Sequence, residues 1–486
     1  MNIKRNQSML IDFYEFTMAN GYFETSHKDD IVYFDLYFRK IPNNGGYAIM
    51  AGLESLIHYV ENMTFSDEDI AYLREQGIFS KDFLEYLRTF TFTGDIFSVK
   101  EGSVIFPGEP IITVRANAVE AQLLETFFLL TINHQSLIAT KASRIKHAAG
   151  DRKVIEMGAR RAHGISSANY GARAAYIGGA DLSSNTMAAR LYGVPATGTM
   201  AHSWVQMFDD EYDAFKAYAE LYPDNSIFLV DTYDTLRSGL PNAIKVIKEV
   251  LKPQNKPFYA IRIDSGDLTY LSKRARKMLD EAGLEECKIV ASNALDEHLI
   301  RALIDQGAPI DSFGVGERLI TAKSEPVFGG VYKLTAVEKN GTIYPTIKIS
   351  DNPEKITTPH FKRLHRIYDK DTGFARADLL SVHDEVIDES KPLTIFDPTH
   401  TWRQQTLTNF EVKSLMVPIF ERGTRVYTIP SLEEVRAYSR HELSTLWEES
   451  KRFDYPFQYP VDLSEKLWNL KHDLIRSLRS QLKAKA

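Results

Sequence analysis

Cysteine is nearly absent from the 486-residue sequence, which contains only Cys287. A single cysteine cannot form an intramolecular disulfide, and it cannot supply a cysteine-based zinc site. Long apolar runs are also missing, because the longest one, residues 127–132, is far too short to span a bilayer. The residues after Lys4 and Arg5 lack the apolar core of a signal peptide, so we expect a cytoplasmic protein.

The sequence also has no excess of positively charged residues. The formal net charge is −7 at pH 7, with 58 Lys and Arg residues against 65 Asp and Glu residues. This balance argues against a general nucleic-acid or acidic-membrane binder, and it still permits a local cationic pocket for a phosphorylated small molecule. With 44% apolar and 25% charged residues, the composition is that of a globular chain, whose length suggests several domains.

Residues 152–335 alternate short apolar runs with helical stretches, which is the pattern of β–α units and a parallel sheet. The candidate strands are residues 153–156, 175–178, 194–197, 227–231, 258–264, 288–292, 312–316 and 331–334. Their number suits a (β/α)8 barrel, and their uneven spacing predicts an irregular or incomplete one. Outside this region, the clearest elements are an alternating strand at 31–38 and amphipathic helices at 8–26 and 462–483.

We therefore predict an α/β fold in which an irregular or incomplete (β/α)8-type barrel is flanked by N-terminal and C-terminal α+β regions. The predicted domains are an N-terminal α+β domain (1–150), a catalytic barrel domain (151–335) and a C-terminal accessory region (336–486). Part of the C-terminal region is expected to pack with the N-terminal domain.

Polar residues or glycines stand at the ends of most candidate strands. They are Glu156, Asp181, His202, Asp231, Asp264, Asn293 and Gly316. Barrel active sites form at the carboxyl ends of the strands, so we expect these residues to converge on one face. A single polar residue after a strand is common, because such residues often cap the next helix. A functional site is favoured here because polar residues follow so many strands in succession.

His202 lies in the segment 198–204, between the apolar run 194–197 and a stretch with helical spacing of apolar residues. A histidine there can face a cleft and be tuned by carboxylates, whereas a lone histidine is more often a core or capping residue. Asp231 is placed to hydrogen-bond the imidazole of His202, which would fix its tautomer and raise its basicity.

Two further turns offer groups for a phosphorylated sugar. Residues 264–267 supply two carboxylates at the start of a helix, which suit ribose hydroxyls, a Mg²⁺ that bridges to a diphosphate, or a plain helix cap. Arg262, on the preceding strand, suits a planar carboxylate or a structural ion pair. Residues 313–316 form a glycine-rich turn for a phosphate or for a barrel corner, and Walker A and dinucleotide-binding motifs are absent.

Taken in order, a set of short motifs makes the chain resemble the nicotinate phosphoribosyltransferases, close to the forms of Gram-positive bacteria. The motifs are residues 12–18, 38–40, 138–141, 158–162, 198–204, 231–235, 262–268 and 313–316. The resemblance runs over essentially the whole length of the chain. It implies transfer of the phosphoribosyl group of phosphoribosyl pyrophosphate to nicotinate, coupled to ATP hydrolysis, in NAD biosynthesis and salvage.

The resemblance also implies the roles of individual residues. His202 is the catalytic histidine that ATP phosphorylates transiently, and Asp231 and Asp264 are the other catalytic residues. The residues implied for the pyridine substrate are Tyr14, Arg161, Arg262, Ser184 and Asn185. Those implied for phosphoribosyl pyrophosphate are Arg39, Asp264, Asp267, Ser292, Asn293, Gly314 and Gly316.

The implied assembly is a homodimer with a shared active site, because Tyr14 and Arg39 match residues that relatives supply from the neighbouring subunit. The implied cofactor is Mg²⁺, with ATP as co-substrate, and the metal ligands stay unassigned. The sequence also leaves open which of Arg160 and Arg161 faces the substrate.

One position departs from the family pattern, and one short stretch bears on substrate choice. Glu317 follows the glycine-rich turn where the family most often has threonine, which puts an unusual negative charge beside a phosphate. Residues 183–185 lack the carboxylate that nicotinamide-using relatives carry nearby, which favours the acid substrate.

The alternatives are a phosphoribosyltransferase for nicotinamide or quinolinate, and a catalytically silent nucleotide-binding relative. An aldolase-type barrel would need a Schiff-base lysine or a metal triad at the strand ends, and neither is visible.

Overall fold

The computed structural model describes residues 6–256, 258–352 and 355–485, so Lys4 and Arg5 lie outside the described residues. The chain folds into two units, one made of residues 1–137 and 327–486 and the other of residues 138–326. The N-terminal and C-terminal regions thus belong to the same unit.

The strands are, in chain order, β1 (Ile31–Phe38), β2 (Ala48–Ile49), β3 (Asp95–Val99), β4 (Val104–Ile105), β5 (Ile112–Asn117), β6 (Lys153–Glu156), β7 (Leu182–Ser183), β8 (Ser226–Leu229), β9 (Tyr259–Ile263), β10 (Lys288–Ala291), β11 (Ser312–Val315), β12 (Gly330–Lys339), β13 (Thr342–Pro345), β14 (Lys362–Asp369), β15 (Ala375–Val382), β16 (Leu393–Phe396), β17 (Gln404–Leu407), β18 (Phe410–Ser414), β19 (Met416–Glu421), β20 (Thr424–Arg425) and β21 (Val461–Leu463). The α-helices are α1 (Phe13–Glu24), α2 (Leu53–Glu61), α3 (Asp67–Glu75), α4 (Lys81–Arg88), α5 (Ala118–Gln122), α6 (Glu125–Ala149), α7 (Ile165–Ile177), α8 (Thr186–Tyr192), α9 (His202–Gln206), α10 (Glu211–Leu221), α11 (Leu240–Val246), α12 (Leu268–Glu281), α13 (Glu297–Asp305), α14 (Glu317–Ile320), α15 (Leu432–Ser444) and α16 (Glu465–Lys485).

The unit of residues 138–326 is built on a six-stranded sheet in the order β7-β6-β11-β10-β9-β8, in which every neighbouring pair is parallel. Its strands are short and mostly buried, as expected for a sheet covered by helices on its faces. Because the strands are parallel, all their carboxyl ends lie at one edge. This α/β sheet is the incomplete barrel that the sequence predicts.

Three of the eight predicted barrel strands do not belong to this sheet. Residues 175–178 lie at the end of α7, where Ala175 and Ile177 are buried, because a buried helix segment and a buried strand give the same apolar run. Residues 194–197 form no strand but only a single parallel bridge, between Ala196 and Ser183.

Pro195 explains why the pairing stops at one bridge, since a proline cannot donate a ladder hydrogen bond. The remaining run, 331–334, lies in β12, which pairs antiparallel with β1 in the other unit. The structure has β7 at residues 182–183 instead, a strand that the sequence pattern did not indicate.

The other unit contains a seven-stranded sheet in the order β13-β12-β1-β5-β3-β19-β20 and a four-stranded sheet in the order β18-β14-β15-β21. In the larger sheet, β1 pairs with β5 on one side and with β12 on the other. Strands from both ends of the chain therefore share one sheet. Across the described residues, none of the helices has the length and apolarity that crossing a membrane requires.

Candidate active site

The carboxyl ends of the parallel strands carry a cluster of predicted residues. Asp231, Asp264 and Ser292 stand within two residues of the ends of β8, β9 and β10. The Oδ2 atom of Asp231 accepts hydrogen bonds from the backbone N–H of Asp264 at 2.9 Å and from the hydroxyl of Ser265 at 2.6 Å. The hydroxyl of Ser292 donates to Asp264 Oδ1. The structure therefore joins the two catalytic carboxylate candidates in one hydrogen-bonded cluster.

A close backbone contact fixes the end of β8 that carries Asp231. Gly239 lies in the π-helical turn after this strand, and a Cβ there would be 1.9 Å from the carbonyl oxygen of Val230. Only glycine allows such an approach. The side chain of Asp234 caps the start of the same turn. The turn is thereby held against the strand end.

His202 is the first residue of α9 and is half-buried. Its Nδ1 lies 3.1 Å from the hydroxyl oxygen of Thr232, so the imidazole pairs with Thr232 and not, as expected, with the carboxylate of Asp231. The physical reason is that Asp231 turns toward the loop after β9, where an N–H and a hydroxyl bind its Oδ2. Pairing at Nδ1 leaves Nε2 as the ring nitrogen available for chemistry.

Arg262 is a largely buried guanidinium with incomplete pairing. Its Nη1 donates to the hydroxyl of Thr199, whereas its buried Nε has no partner. Burial lowers the pKa of Arg262 and Arg160 adds to this effect, while Asp264 and Asp231 oppose it. A buried guanidinium with a free donor suits a planar carboxylate, as the sequence predicts.

Three further predicted pyridine-binding residues, Arg161, Ser184 and Asn185, lie in sequence close to β6 and β7. Arg160 and Arg161 are both exposed on a single helical turn after β6. Ser184 is exposed, and its backbone N–H donates to the Glu156 carbonyl at 2.9 Å. The side chain of Asn185 caps α8, and its amide group donates to neighbouring oxygens at 3.0 and 3.1 Å. Asn185 therefore serves the local fold in this structure.

Residues 313–316, predicted as a glycine-rich turn, mostly form the end of β11, because residues 313–315 belong to the strand, and the close packing there leaves no room for a larger side chain at Gly314. A Cβ there would be 2.8 Å from the Met157 sulfur and 3.1 Å from the Ser292 Cβ. Gly316 ends the turn with φ −117° and ψ −104°. Next to Ser292, Asn293 is exposed and holds a φ of 104°, which is unusual for a residue other than glycine.

Two acidic residues beside these turns have local partners. Asp267 caps α12, because its Oδ1 accepts a hydrogen bond from the Tyr270 N–H at 3.0 Å. Glu317 Oε1 accepts a hydrogen bond from Lys323 Nζ at 2.8 Å. Lys323 holds the pKa of Glu317 below its ordinary value, and Arg161 and Arg318 act in the same direction.

Tyr14 and Arg39 belong to the other unit. Tyr14 lies on α1, with 46% of its surface exposed. Partial burial and a hydrogen bond to Glu125 raise the pKa of Tyr14 above its ordinary value. Arg39 directly follows β1, is half-buried and interacts with Tyr37.

Sequence reasoning did not identify several groups that shape the site. Three are the hydroxyls of Thr199, Thr232 and Ser265, and the fourth is the glycine at position 239. The only signal for the hydroxyls is that each is adjacent to, or within a few residues of, a residue already singled out. Nothing in the sequence pattern marks Gly239.

The site residues fit a Mg²⁺ held jointly with a substrate. In the described ranges, no group of three or more His, Cys, Asp or Glu side chains is arranged to hold a metal ion. Mg²⁺, however, is usually bound by one or two carboxylates together with waters and substrate phosphates. The buried Oδ1 of Asp231 has no hydrogen-bond partner, and the Asp264 carboxylate belongs to the same cluster. These two oxygen donors match the preference of the ion.

Similar solved structures share this fold. The structure of human nicotinic acid phosphoribosyltransferase superposes with a TM-score of 0.84 at 30% identity, over 96% of this chain and 100% of that one. The structure of a nicotinate-nucleotide pyrophosphorylase from Pyrococcus furiosus superposes with a TM-score of 0.69 at 22% identity, over 92% and 97% of the two chains, and shows the fold alone. The chain thus has the incomplete-barrel fold of a phosphoribosyltransferase.

Family models and a curated relative define the chain more closely. Models of the nicotinate phosphoribosyltransferase N-terminal domain, family and C-terminal domain match residues 9–133, 152–372 and 361–471. The nicotinate phosphoribosyltransferase of Bacillus subtilis is 48% identical over 98% of this chain and 96% of its own length. The chain therefore belongs to the nicotinate phosphoribosyltransferase family.

Proposed function

We propose that the chain makes nicotinate mononucleotide and pyrophosphate from nicotinate and phosphoribosyl pyrophosphate, in NAD biosynthesis and salvage, with ATP hydrolysis coupled through a phosphohistidine. The observation that carries this proposal is the half-buried Arg262, whose buried Nε has no partner, beside the Asp231–Asp264 cluster. A cation for a planar carboxylate thus lies next to oxygens suited to a ribose and a metal-bound diphosphate. Family membership supports the same reaction.

In the transfer step, the ring nitrogen of nicotinate attacks C1 of the ribose while the bond from C1 to the pyrophosphate oxygen breaks. Positive charge develops on the ribose, so the site must place opposite charge there more than it must supply a strong base. Asp264 is the carboxylate that we assign to this charge. Arg262, helped by Arg161, holds the nicotinate carboxylate and so orients the ring nitrogen. Backbone groups around Gly314, Gly316, Ser292 and Asn293 receive the 5′-phosphate.

In the coupled step, Nε2 of His202 attacks the γ-phosphorus of ATP, an N–P bond forms and the P–O bond to ADP breaks. Hydrolysis of the N–P bond later releases phosphate. Thr232 supports this role because its contact with Nδ1 leaves Nε2 available. Phosphorylation adds negative charge beside the site and changes its affinity for pyrophosphate, which couples the two reactions by linkage.

Asp231 and Asp264 are the residues that would hold Mg²⁺. A bound Mg²⁺ would neutralise part of the negative charge of the diphosphate. Asp231 leaves its Oδ1 free for this purpose, while its Oδ2 fixes the loop after β9. Asp267 stands at the start of α12, close in sequence to the same carboxylates.

The acid substrate is favoured over the amide by the surroundings of Ser183. Its hydroxyl donates to Glu156 Oε2 at 2.6 Å, and the other oxygen of Glu156 accepts from the Gly158 N–H. Glu156 is buried, and its burial raises its pKa. The carboxylate is thus occupied locally and does not offer an acceptor for a substrate amide.

The proposed active form is a cytoplasmic homodimer with a shared site. Large apolar side chains are exposed on and just before α1, namely Leu10, Phe13, Tyr14 and Met18. An exposed apolar set of this kind is what a subunit contact buries. The single cysteine suits a reducing compartment.

The test is a side-by-side assay of nicotinate, nicotinamide and quinolinate with phosphoribosyl pyrophosphate and Mg²⁺, with and without ATP. We expect mononucleotide from nicotinate, faster with ATP, and ADP released during turnover. Turnover of nicotinamide in place of nicotinate would overturn the substrate assignment. Absence of turnover with all three pyridines would favour a catalytically silent nucleotide-binding protein.

A further inference from the structure

The side chain of Asp231 is held by two donors that bind the same oxygen. Its Oδ2 accepts a hydrogen bond from the backbone N–H of Asp264 at 2.9 Å and another from the hydroxyl of Ser265 at 2.6 Å. Within the part of the chain that the structure describes, its Oδ1 is buried and has no hydrogen-bond partner. The two oxygens of this carboxylate therefore lie in different environments, and the donors decide which of them stays free.

The torsion that these donors fix is a soft one. Rotation of an aspartate carboxylate about its bond to Cβ has broad, roughly two-fold preferences, so the side chain alone does not choose which oxygen faces which way. The end of the strand before it is already fixed, because Gly239 lies against the carbonyl oxygen of Val230. The carboxylate of Asp231 is therefore oriented by the two donors on its Oδ2.

Only one of the two donors is a side chain. The N–H of Asp264 belongs to the backbone, whereas the hydroxyl of Ser265 is present because the sequence has serine at this exposed position, two residues after β9. The carboxylate of Asp264 is held in a similar way, because the hydroxyl of Ser292 donates to its Oδ1. Each carboxylate of the cluster thus has a serine donor on one of its oxygens.

We propose that Ser265 is a positioning residue of the active site: its hydroxyl holds Oδ2 of Asp231, so that Oδ1 stays available to Mg²⁺ bound together with a diphosphate. This inference rests on the proposed function, because it takes Asp231 as a residue that holds the metal. It goes beyond that function by assigning a role to a side chain that acts through Asp231 rather than on the substrate.

The expected size of the effect follows from the role of groups that orient metal ligands. Loss of such a hydrogen-bond partner typically lowers metal affinity or activity by about 10- to 100-fold. Because Ser265 is exposed, water can replace part of its hydrogen bond, so we expect a loss at the lower end of this range, about tenfold. The loss should be confined to binding that uses the metal.

The experiment is calorimetric titration of the full-length protein with inorganic pyrophosphate, once with excess Mg²⁺ and once with EDTA. The ratio of the two dissociation constants measures how much the metal strengthens binding. The variants are S265A and S265G, which remove the hydroxyl, and S265T, which keeps it. S390A is the matched control, because Ser390 is an exposed serine of the other unit whose hydroxyl donates to the exposed Asp388 carboxylate at 2.5 Å. Thermal unfolding verifies that every variant is folded.

We expect the strengthening by Mg²⁺ to fall about tenfold in S265A and S265G, while their affinity for pyrophosphate in EDTA stays at the wild-type value. S265T and S390A keep the wild-type ratio. In steady-state assays, S265A requires about tenfold more Mg²⁺ for half-maximal activity, and its KM for nicotinate at saturating Mg²⁺ is unchanged. S265G gives the same answer if S265A folds poorly.

The outcomes separate this inference from the proposed function. Unchanged strengthening by Mg²⁺ in S265A and S265G overturns the role of Ser265, while transfer by the wild type leaves the proposed function standing. Binding that weakens by the same factor with and without Mg²⁺ means that Ser265 contacts the ligand itself, which also overturns the positioning role. A wild type that gains no affinity for pyrophosphate from Mg²⁺ removes the inference, and one that transfers no phosphoribosyl group removes the proposed function as well.

Discussion

At the residue scale, the pairing of His202 with a hydroxyl has a chemical consequence. A carboxylate at Nδ1 would stabilise the imidazolium and make the ring more basic, whereas the Thr232 hydroxyl is a neutral partner. A phosphoryl acceptor needs the lone pair of a neutral ring nitrogen. When Nδ1 carries the proton and donates it to Thr232, the lone pair of Nε2 is available for the nucleophilic attack that the proposed phosphoryl transfer requires.

The first prediction concerns His202→Ala. We expect this variant to lose ATP stimulation and ADP release and to retain slow transfer without ATP, because the proposed phosphoryl acceptor is gone while the residues proposed to hold nicotinate and the ribose remain. The measurement is mononucleotide and ADP formation with and without ATP.

His27→Ala is a suitable control, since His27 is an exposed histidine of the other unit that pairs with Asp30. It is expected to keep the ATP response of the wild type. If His202→Ala also keeps that response, another residue accepts the phosphoryl group.

At the element scale, the sequence predicts the strands that carry the site better than it predicts how they are joined. Residues 31–38 and 153–156 are the strands β1 and β6 with the predicted bounds, and β8 to β11 differ from prediction by one or two residues at their ends. The pairing of β12 with β1 could not be read from local patterns, because it joins segments about 300 residues apart.

Much of the candidate site could be predicted from the polar residues that follow the predicted strands, and the reason is physical. Parallel strands bring their carboxyl ends together, so the clustering of Asp231, Asp264 and Ser292 follows from topology. Hydrogen-bond partners do not follow from topology. Asn185 and Asp267 cap helices, and neither the Thr232 contact nor the need for glycine at 239 leaves a mark in periodicity.

The second prediction concerns the turn that holds β8. Gly239→Ala would force a Cβ to within 1.9 Å of the Val230 carbonyl oxygen, so the turn must move away from the strand end. We expect a loss of stability of about 1–3 kcal/mol or more, with reduced activity because Asp231 shifts. Thermal unfolding and steady-state kinetics provide the measurement.

Gly198→Ala is the matched control for stability, since a Cβ at that position meets no atom within 4 Å. The melting temperature of this variant is expected to stay near that of the wild type. Equal melting temperatures for Gly239→Ala and the wild type would show that the turn is not tightly held.

At the scale of the whole molecule, the free energy of unfolding depends on pH through buried carboxyls such as Glu15. Burial raises the pKa of Glu15 to about 8, although a hydrogen bond from Thr126 opposes the shift. In the folded chain this carboxyl keeps its proton up to about that pH, and in the unfolded chain it loses the proton near its ordinary value of 4.5. The folded state binds more protons between these values, so stability falls as pH rises through this window.

The third prediction follows from that sign. Glu15→Gln cannot ionise, so the variant loses this part of the pH dependence and gains stability relative to the wild type between about pH 5 and pH 8.5. Melting temperatures across this range provide the measurement. Glu24→Gln, an exposed change on the same helix, is the control and is expected to follow the wild type. A parallel course for Glu15→Gln and the wild type would mean that Glu15 is ionised in the folded protein.

The fourth prediction tests the shared site of the proposed homodimer. Tyr14→Ala and His202→Ala homodimers are each expected to lack ATP-stimulated transfer. If Tyr14 serves the partner's site, a mixed dimer of the two variants contains one complete site, and random exchange of subunits restores about a quarter of wild-type activity. If Tyr14 serves its own chain, both sites of the mixed dimer stay defective and no activity returns.

A second mixture separates complementation from a general effect of mixing. Tyr14 and Arg39 are both proposed to reach the same neighbouring site, so in a mixed dimer of Tyr14→Ala with Arg39→Ala each site lacks one of the two residues. This pair is expected to stay inactive under the conditions that restore the first pair. Recovery in both mixtures would mean that Tyr14 crosses the subunit contact whereas Arg39 serves the site of its own chain, which would contradict the proposed role of Arg39. Recovery in the first mixture alone supports a site built from two copies of the chain.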